Sequence, residues 1–257
     1  MLVLTEKKNG VGWLYLNRPE ALNSLTAGLV EELSAAIGQL AADDEVRVLV
    51  FSGQGRAFCA GGDLASLKAL TDEQQAADFV ASCGAAAQAL YDCPKPVIAM
   101  VNGVAAGAGF NLALACDIVL AAEGVKFIQS FSNIGLVPDC GGHYFLPRAI
   151  GSWHAKQAMF EASPITAEQG KAYGFVNAIY PAADLAAETA KYAEMLAKRA
   201  PLSLQGCKNL LNRGGNLTLA EILAAEAELQ GKLVCSADCK EGLAAFAEKR
   251  AANFQGK

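Results

Sequence analysis

The sequence predicts an α/β domain with largely parallel strand pairing, followed by a helical segment. Three observations carry this reading. Strand-like runs alternate with helical patterns through the first two thirds of the chain. The runs are apolar almost throughout, as strands covered on both faces are. Two glycine-rich turns, Arg56-Ala-Phe-Cys-Ala-Gly-Gly-Asp63 and Asn102-Gly-Val-Ala-Ala-Gly-Ala-Gly109, each follow such a run.

Taken in order, Val11-Gly-Trp-Leu-Tyr-Leu16 reads as a strand that ends at Asn17-Arg-Pro19. Leu29, Val30, Leu33, Ile37 and Leu40 recur at helical spacing and predict an amphipathic helix from Thr26 to Ala42. A strand over Val46–Phe51 leads into the first glycine turn. Thr71-Asp-Glu-Gln74 has the spacing of a capping box and predicts a helix running towards Asp92, stopped by Pro94 and Pro96. A strand over Val97–Val101, a helix from near Gly107 and a strand over Asp117–Ala122 follow. Beyond Thr166 alanine becomes abundant, and Thr166-Ala-Glu-Gln169 and Thr218-Leu-Ala-Glu221 are further capping boxes. Apart from a strand over Phe175–Tyr180, this part reads as helix. Pro201 opens a C-terminal helical segment, so the expected division is a core of residues 1–200 and a segment of residues 201–257. The Ala-rich helices carry few large apolar side chains, and part of their burial is expected from another subunit.

Composition narrows the function classes. Apolar residues at 53% and charged residues at 18% supply a core and argue against disorder. A net charge of −5 disfavours nucleic acid or an anionic membrane as the main partner. Met1-Leu-Val-Leu-Thr-Glu-Lys-Lys8 lacks a signal-peptide layout, and no apolar run reaches membrane-spanning length, so a soluble, cytoplasmic protein is expected. The eight cysteines contain no Cys-x-x-Cys and are expected to be buried thiols, with no metal site. With only His143 and His154 available, a histidine-based metal site or a Ser-His-Asp triad is hard to assemble.

The two glycine turns carry the chemistry. Glycine permits positive φ and close backbone approach to a ligand. Two converging backbone N–H groups suit the negative oxygen of an enolate. A phosphate loop is a poor match, because no Gly-Lys-Ser/Thr follows and the spacing is not that of a dinucleotide fingerprint.

Several motifs together resemble the crotonase (enoyl-CoA hydratase/isomerase) superfamily over essentially the whole chain. They are Asn17-Arg-Pro19 with Asn23, Ala57-Phe-Cys-Ala-Gly-Gly-Asp63, Asn102 to Gly109, Cys116-Asp117, Gly135-Leu-Val-Pro-Asp-Cys-Gly-Gly142 and Glu248-Lys-Arg-Ala-Ala-Asn-Phe254. The resemblance implies a crotonase-like spiral of repeated β-β-α turns and a helical C-terminal trimerisation segment, assembled as a homotrimer or a dimer of trimers. It implies an acyl-CoA thioester as ligand, with coenzyme A entering as part of the substrate and no separate cofactor. By motif position the oxyanion hole falls on the backbone N–H groups of Gly62 and Ala108, beside Ala60.

The same resemblance locates a departure. The two glutamates of the family's hydratases would fall at Asn111 and Phe131, and neither is a carboxylate here. Adding water across a conjugated double bond needs one group to activate the water and another to manage the proton. An amide and a phenyl ring do neither. A carboxylate stands instead at Asp139. On its own it reads either as an N-cap for a helix starting near Gly141 or as a proton-transfer group. The resemblance implies the second, because one isomerase branch carries its catalytic carboxylate at this position. The segment Phe131 to Gly142 looks most like bacterial 1,2-epoxyphenylacetyl-CoA isomerases of phenylacetate breakdown and related 3-enoyl-CoA isomerases.

Phe246 and Lys249 are expected on one face of the last helix, either as contacts to the adenine and phosphates of coenzyme A, as the resemblance implies, or as a core Phe beside a solvated Lys. Arg18 is expected in solvent, Asp63 as a helix cap, and Phe58 and Cys59 beneath the first turn. Within the superfamily, an enoyl-CoA hydratase, a dehalogenase-type hydrolase with Asp139 as nucleophile and a catalytically silent CoA-ester-binding protein are the rival readings. An RNA-binding relative is disfavoured, since the first long helix holds Glu31 and Glu32 and no lysine.

Overall fold

The computed structural model describes residues 1–257. It opens with a hairpin, β1 (Val3–Lys8) and β2 (Val11–Leu16), closed by Asn9-Gly10 with both residues at positive φ. Asn-Gly favours this two-residue turn because its backbone twist matches that of the strands. Helix α1 (Ala27–Ala42) starts at Thr26, whose hydroxyl accepts from the Leu29 N–H, and buries the five apolar positions that predicted it.

Three β-β-α turns then follow. The first is β3 (Val48–Gly53), β4 (Ala57–Cys59), α2 (Leu64–Ala69) and α3 (Glu73–Asp92). The second is β5 (Val97–Val101), β6 (Val104–Ala106) and α4 (Ala108–Leu114). The third is β7 (Ile118–Ala122), β8 (Lys126–Ile128), a 3-10 turn over Ser130–Ile134, and α5 (Gly142–Glu161). In every turn the first strand joins one sheet and the second strand joins another. With β9 (Ile165–Thr166), α6 (Ala167–Tyr173) and β10 (Ala178–Tyr180), this gives a six-stranded sheet β1-β2-β3-β5-β7-β10 and a four-stranded sheet β4-β6-β8-β9. Pairing is parallel except at β1–β2 and β8–β9. The expected α/β spiral is present.

Strands β3 and β5 are buried along their whole length, which explains their unbroken apolar character. Behind the second glycine turn, the rings of Phe110, Phe127 and Phe175 pack at centroid distances of 5.1 to 5.3 Å. Each buried Phe contributes roughly 1.5–3 kcal/mol, so this cluster anchors α4 firmly to the small sheet.

Some expectations are corrected. Helix α3 is capped by Asp72, whose carboxylate accepts from the Gln75 N–H, and not by Thr71. A carboxylate at that point also meets the positive end of the helix dipole. Strand β3 begins at Val48 because the Arg47 and Val48 N–H groups turn to the Gly10 carbonyl. Only Ala178–Tyr180 pairs in the last strand, while Phe175 and Val176 plug the core ahead of it. All eight cysteines are free, but Cys207 and Cys235 are exposed, against the expectation of burial.

Helix α7 (Leu185–Ala197) covers the large sheet, and α8 (Pro201–Gly214), α9 (Leu219–Val234) and α10 (Ala237–Glu248) follow. The last three bury only Gly206, Asp238 and Ala245. Polar ties join α8 to the core. Lys208 pairs with Asp117 at 2.9 Å, and the Asn212 side chain donates to the Tyr91 carbonyl. No helix is long and apolar enough to cross a membrane.

Candidate active site

The two glycine turns meet. After β4, Gly61 takes φ +94°, and a Cβ there would lie 2.9 Å from the Ala106 carbonyl oxygen and 3.5 Å from the Ala108 nitrogen. After β6, Gly107 takes φ 53° and ψ −126°, backbone that an L side chain rarely adopts. Gly109 lies directly against the Cys59 backbone, where any side chain would collide. The result sets the first residue of α4 beside the first turn. Neither the Gly62 N–H nor the Ala108 N–H donates to another group of the chain. Both residues line one cavity of about 570 Å³.

That cavity is mostly apolar. Leu67, Phe79 and Phe131 line its wall, Ala60 lies beside the turns, and the exposed Leu64, Ile134 and Val137 border it. Asp139 is the only carboxylate in the lining, and the Cys83 thiol is the only other ionisable group. Burial raises the Asp139 carboxyl above the ordinary aspartate range, partly offset by the neighbouring Cys140 thiol. Its Oδ1 is buried with no hydrogen-bond partner.

The helix-cap reading of Asp139 fails. The N-cap of α5 is Gly141, at φ 75°, with no side-chain cap bond. The Asp139 main-chain carbonyl, not its carboxylate, accepts from the Gly142 N–H at 2.9 Å. The carboxylate makes no cap bond, and Asp139 lines the cavity.

Other motif residues hold the turns. The Asn23 side chain is fully buried, donates to the carbonyls of Gln54 and Ala57, and accepts from the Arg18 N–H. Asp63 caps α2 through the Ser66 N–H and pairs with Arg18 at 3.3 Å. Arg18 is therefore a largely buried strut and not a solvated charge, because its guanidinium is committed to Asp63 and the Ser24 carbonyl. Phe58 packs edge-on to Phe51, and the Cys59 thiol donates to the Asn23 carbonyl, with burial pushing it up to about 12.

The structure does not bring Phe246 and Lys249 to this cavity. Phe246 is 87% exposed. Lys249 lies past the end of α10 at φ 54°, where its N–H closes the helix on the Ala245 and Phe246 carbonyls. The two are thus not on one helical face as expected. Asn111 and Phe131 are both buried: Phe131 lines the cavity, while Asn111 lies beneath it. Sequence reasoning missed Gln129, Cys83 and Cys140. Gln129 sits in the run Phe127-Ile128-Gln129, and its distance in sequence from Asn111 hides their contact.

Comparison with known proteins agrees with this geometry. Residues 6–257 match the family described as enoyl-CoA hydratase/isomerase. A probable enoyl-CoA hydratase of Rhodobacter capsulatus is 39% identical over 98% of this chain and 97% of its own length. A 1,2-epoxyphenylacetyl-CoA isomerase of Escherichia coli is 38% identical over 99% of this chain and 98% of its own. The crystal structure of an enoyl-CoA hydratase from Bacillus anthracis superimposes with a TM-score of 0.96 at 31% identity, covering 100% of both chains. The match runs the length of the fold and includes both glycine turns, and this chain belongs to the enoyl-CoA hydratase/isomerase family.

Proposed function

We propose that this protein is an isomerase of enoyl-CoA thioesters that uses Asp139 as its single acid–base group. The observation that carries the reading is the site itself: one carboxylate and two free N–H groups line the same apolar cavity. Overall identity does not favour isomerase over hydratase, since the relatives quoted bear both names at 38% and 39%.

The chemistry follows from these parts. The Gly62 and Ala108 N–H groups receive the thioester oxygen, and removing one such donor costs about 3 kcal/mol of transition-state stabilisation. Asp139 takes a proton from the α-carbon of a 3-enoyl thioester, and the electron pair moves to the oxygen. The resulting dienolate is reprotonated at the γ-carbon by the same carboxyl group, and the double bond now lies between the α- and β-carbons. No water enters. Desolvation makes Asp139 a stronger base than a free aspartate. Phe131 fills the place where a second carboxylate would be needed for hydration.

For a 1,2-epoxyphenylacetyl thioester, the same three groups would assist opening of the epoxide to the seven-membered oxepin ring. Coenzyme A arrives with the substrate, and the mechanism asks for no further cofactor. The exposed apolar residues of α8 to α10, Leu211 and Leu243 among them, favour a homotrimer or a dimer of trimers. A cytoplasmic location fits such an enzyme.

The test is turnover of three substrates: a 3-enoyl-CoA, a 2-enoyl-CoA and 1,2-epoxyphenylacetyl-CoA. Isomerisation of the first or third, with slow hydration of the second, is expected. Hydration as fast as isomerisation would refute the single-carboxylate mechanism.

A further inference from the structure

We propose that Asn111 is a positioning residue: its buried amide, held by Gln129, fixes the Asp139 loop so that the carboxylate is presented to the cavity. The inference rests on Asp139 being the proton-transfer group.

Asn111 is fully buried and does not line the cavity, so its side chain cannot touch a substrate there. Its two amide atoms are both committed. Nδ2 donates to the Asp139 carbonyl oxygen at 2.8 Å, and Oδ1 accepts from the Gln129 Nε2 at 2.7 Å. Gln129 is itself 1% exposed. Gly142 leaves room for this contact, since a Cβ there would stand 2.5 Å from the Asn111 Nδ2.

The loop needs holding. Cys140 at φ 46° and Gly141 at φ 75° are left-handed in succession, and a non-glycine residue takes that conformation only when its surroundings impose it. The bond from Asn111 is one such restraint. Asn111 also lies on α4, three residues after Ala108, so one short, packed helix carries both an oxyanion donor and the brace of the base. The position at which a hydratase glutamate would fall is thereby occupied by a group that must donate a hydrogen bond. A carboxylate cannot.

Asn111→Asp tests this, because it keeps the shape and exchanges the donor for a titratable group. Protonated, Asp at 111 can donate to the Asp139 carbonyl and accept from Gln129. Ionised, it presents an oxygen to an oxygen. The titratable groups nearby are Asp139 itself and the thiols of Cys59 on β4, Cys83 on α3 and Cys140. Burial pushes Cys59 up to about 12, and a hydrogen bond with Cys83, with burial second, raises Cys140.

Wild type should show only an acid limb in its rate against pH, followed by a plateau below the range where the substrate or protein degrades. Asn111→Asp should add a second limb, falling roughly tenfold to a hundredfold as pH rises, with KM nearly unchanged. Gln129→Leu, which frees the Asn111 amide without adding a charge, should lower kcat at constant KM and leave the profile shape intact. It is the variant to use where Asn111→Asp melts below the assay temperature. Asp139→Asn is run alongside. An inactive Asp139→Asn with Asn111→Asp and Gln129→Leu both matching wild type would overturn the positioning role alone. Full turnover by Asp139→Asn would overturn the site reading on which it rests.

Discussion

Gly61 and Ala108, which come from different β-β-α turns, face one another so closely that a Cβ on Gly61 would reach 3.5 Å from the Ala108 nitrogen. This contact registers the two N–H donors. Gly61→Ala should cost roughly 1–3 kcal/mol of stability, since φ +94° and the nearby Ala106 carbonyl both oppose a methyl group. Turnover should fall by about 10²-fold or more as the donors are displaced. A thermal melt with kcat on a 3-enoyl-CoA measures both, and an unaltered kcat would exclude the paired donors.

Asp139→Asn should lower isomerisation by roughly 10²-fold or more while binding of a CoA thioester persists, because Gly62 and Ala108 donate from the backbone. The melting temperature should hold or rise, since a buried carboxylate oxygen without a partner is replaced by a neutral amide. Retained turnover in a folded, ligand-binding variant would remove Asp139 from the mechanism.

The raised carboxyl of Asp139 has a stability signature of definite sign. Between the ordinary aspartate value near 3.9 and its higher folded value, the native state binds more protons than the unfolded state. Stability relative to Asp139→Asn should therefore fall as pH rises through that window and stay level above it. The rate has the opposite slope and climbs through the folded value as the base ionises. Paired melting and kcat/KM profiles check both limbs, and coincident stability profiles for the two proteins would show that Asp139 is not shifted.

Replacing Asn111 with Glu should not create a hydratase. It removes the donor to the Asp139 carbonyl and crowds Gly142, so isomerisation should drop without a matching gain in hydration of crotonyl-CoA. A large gain in hydration would show that the pocket lacks only a carboxylate.

Exposed apolar residues such as Leu243 and Phe246 lie on the last helix, α10, and Leu211 on α8. Sedimentation at micromolar concentration should give a trimer or hexamer. A stable, fully active monomer is incompatible with the proposed assembly.

Local pattern in the sequence determined much of this protein. Helix α1 follows from apolar residues at 3.6-residue spacing behind Thr26, and the long parallel strands follow from their unbroken apolar runs. The glycine turns showed where backbone approaches closely, and the resemblance to one isomerase branch singled out Asp139. The opening hairpin went unread despite its Asn9-Gly10 turn, because β1 is too exposed and charged to declare itself by alternation. Only the tertiary structure decided the rest. Strands β4, β6 and β8 span three residues each, too few to show a period, and exist because parallel partners from other turns pair with them. Asp139 was equally good as a cap until Gly141 took that position in left-handed backbone. Asn111 gave no sign of its tie to Gln129 and Asp139, which stand 18 and 28 residues away. Periodicity reports which face of an element is buried, a property of neighbours in the chain. A hydrogen bond between buried side chains depends on where distant elements pack, and that is settled only when the chain folds.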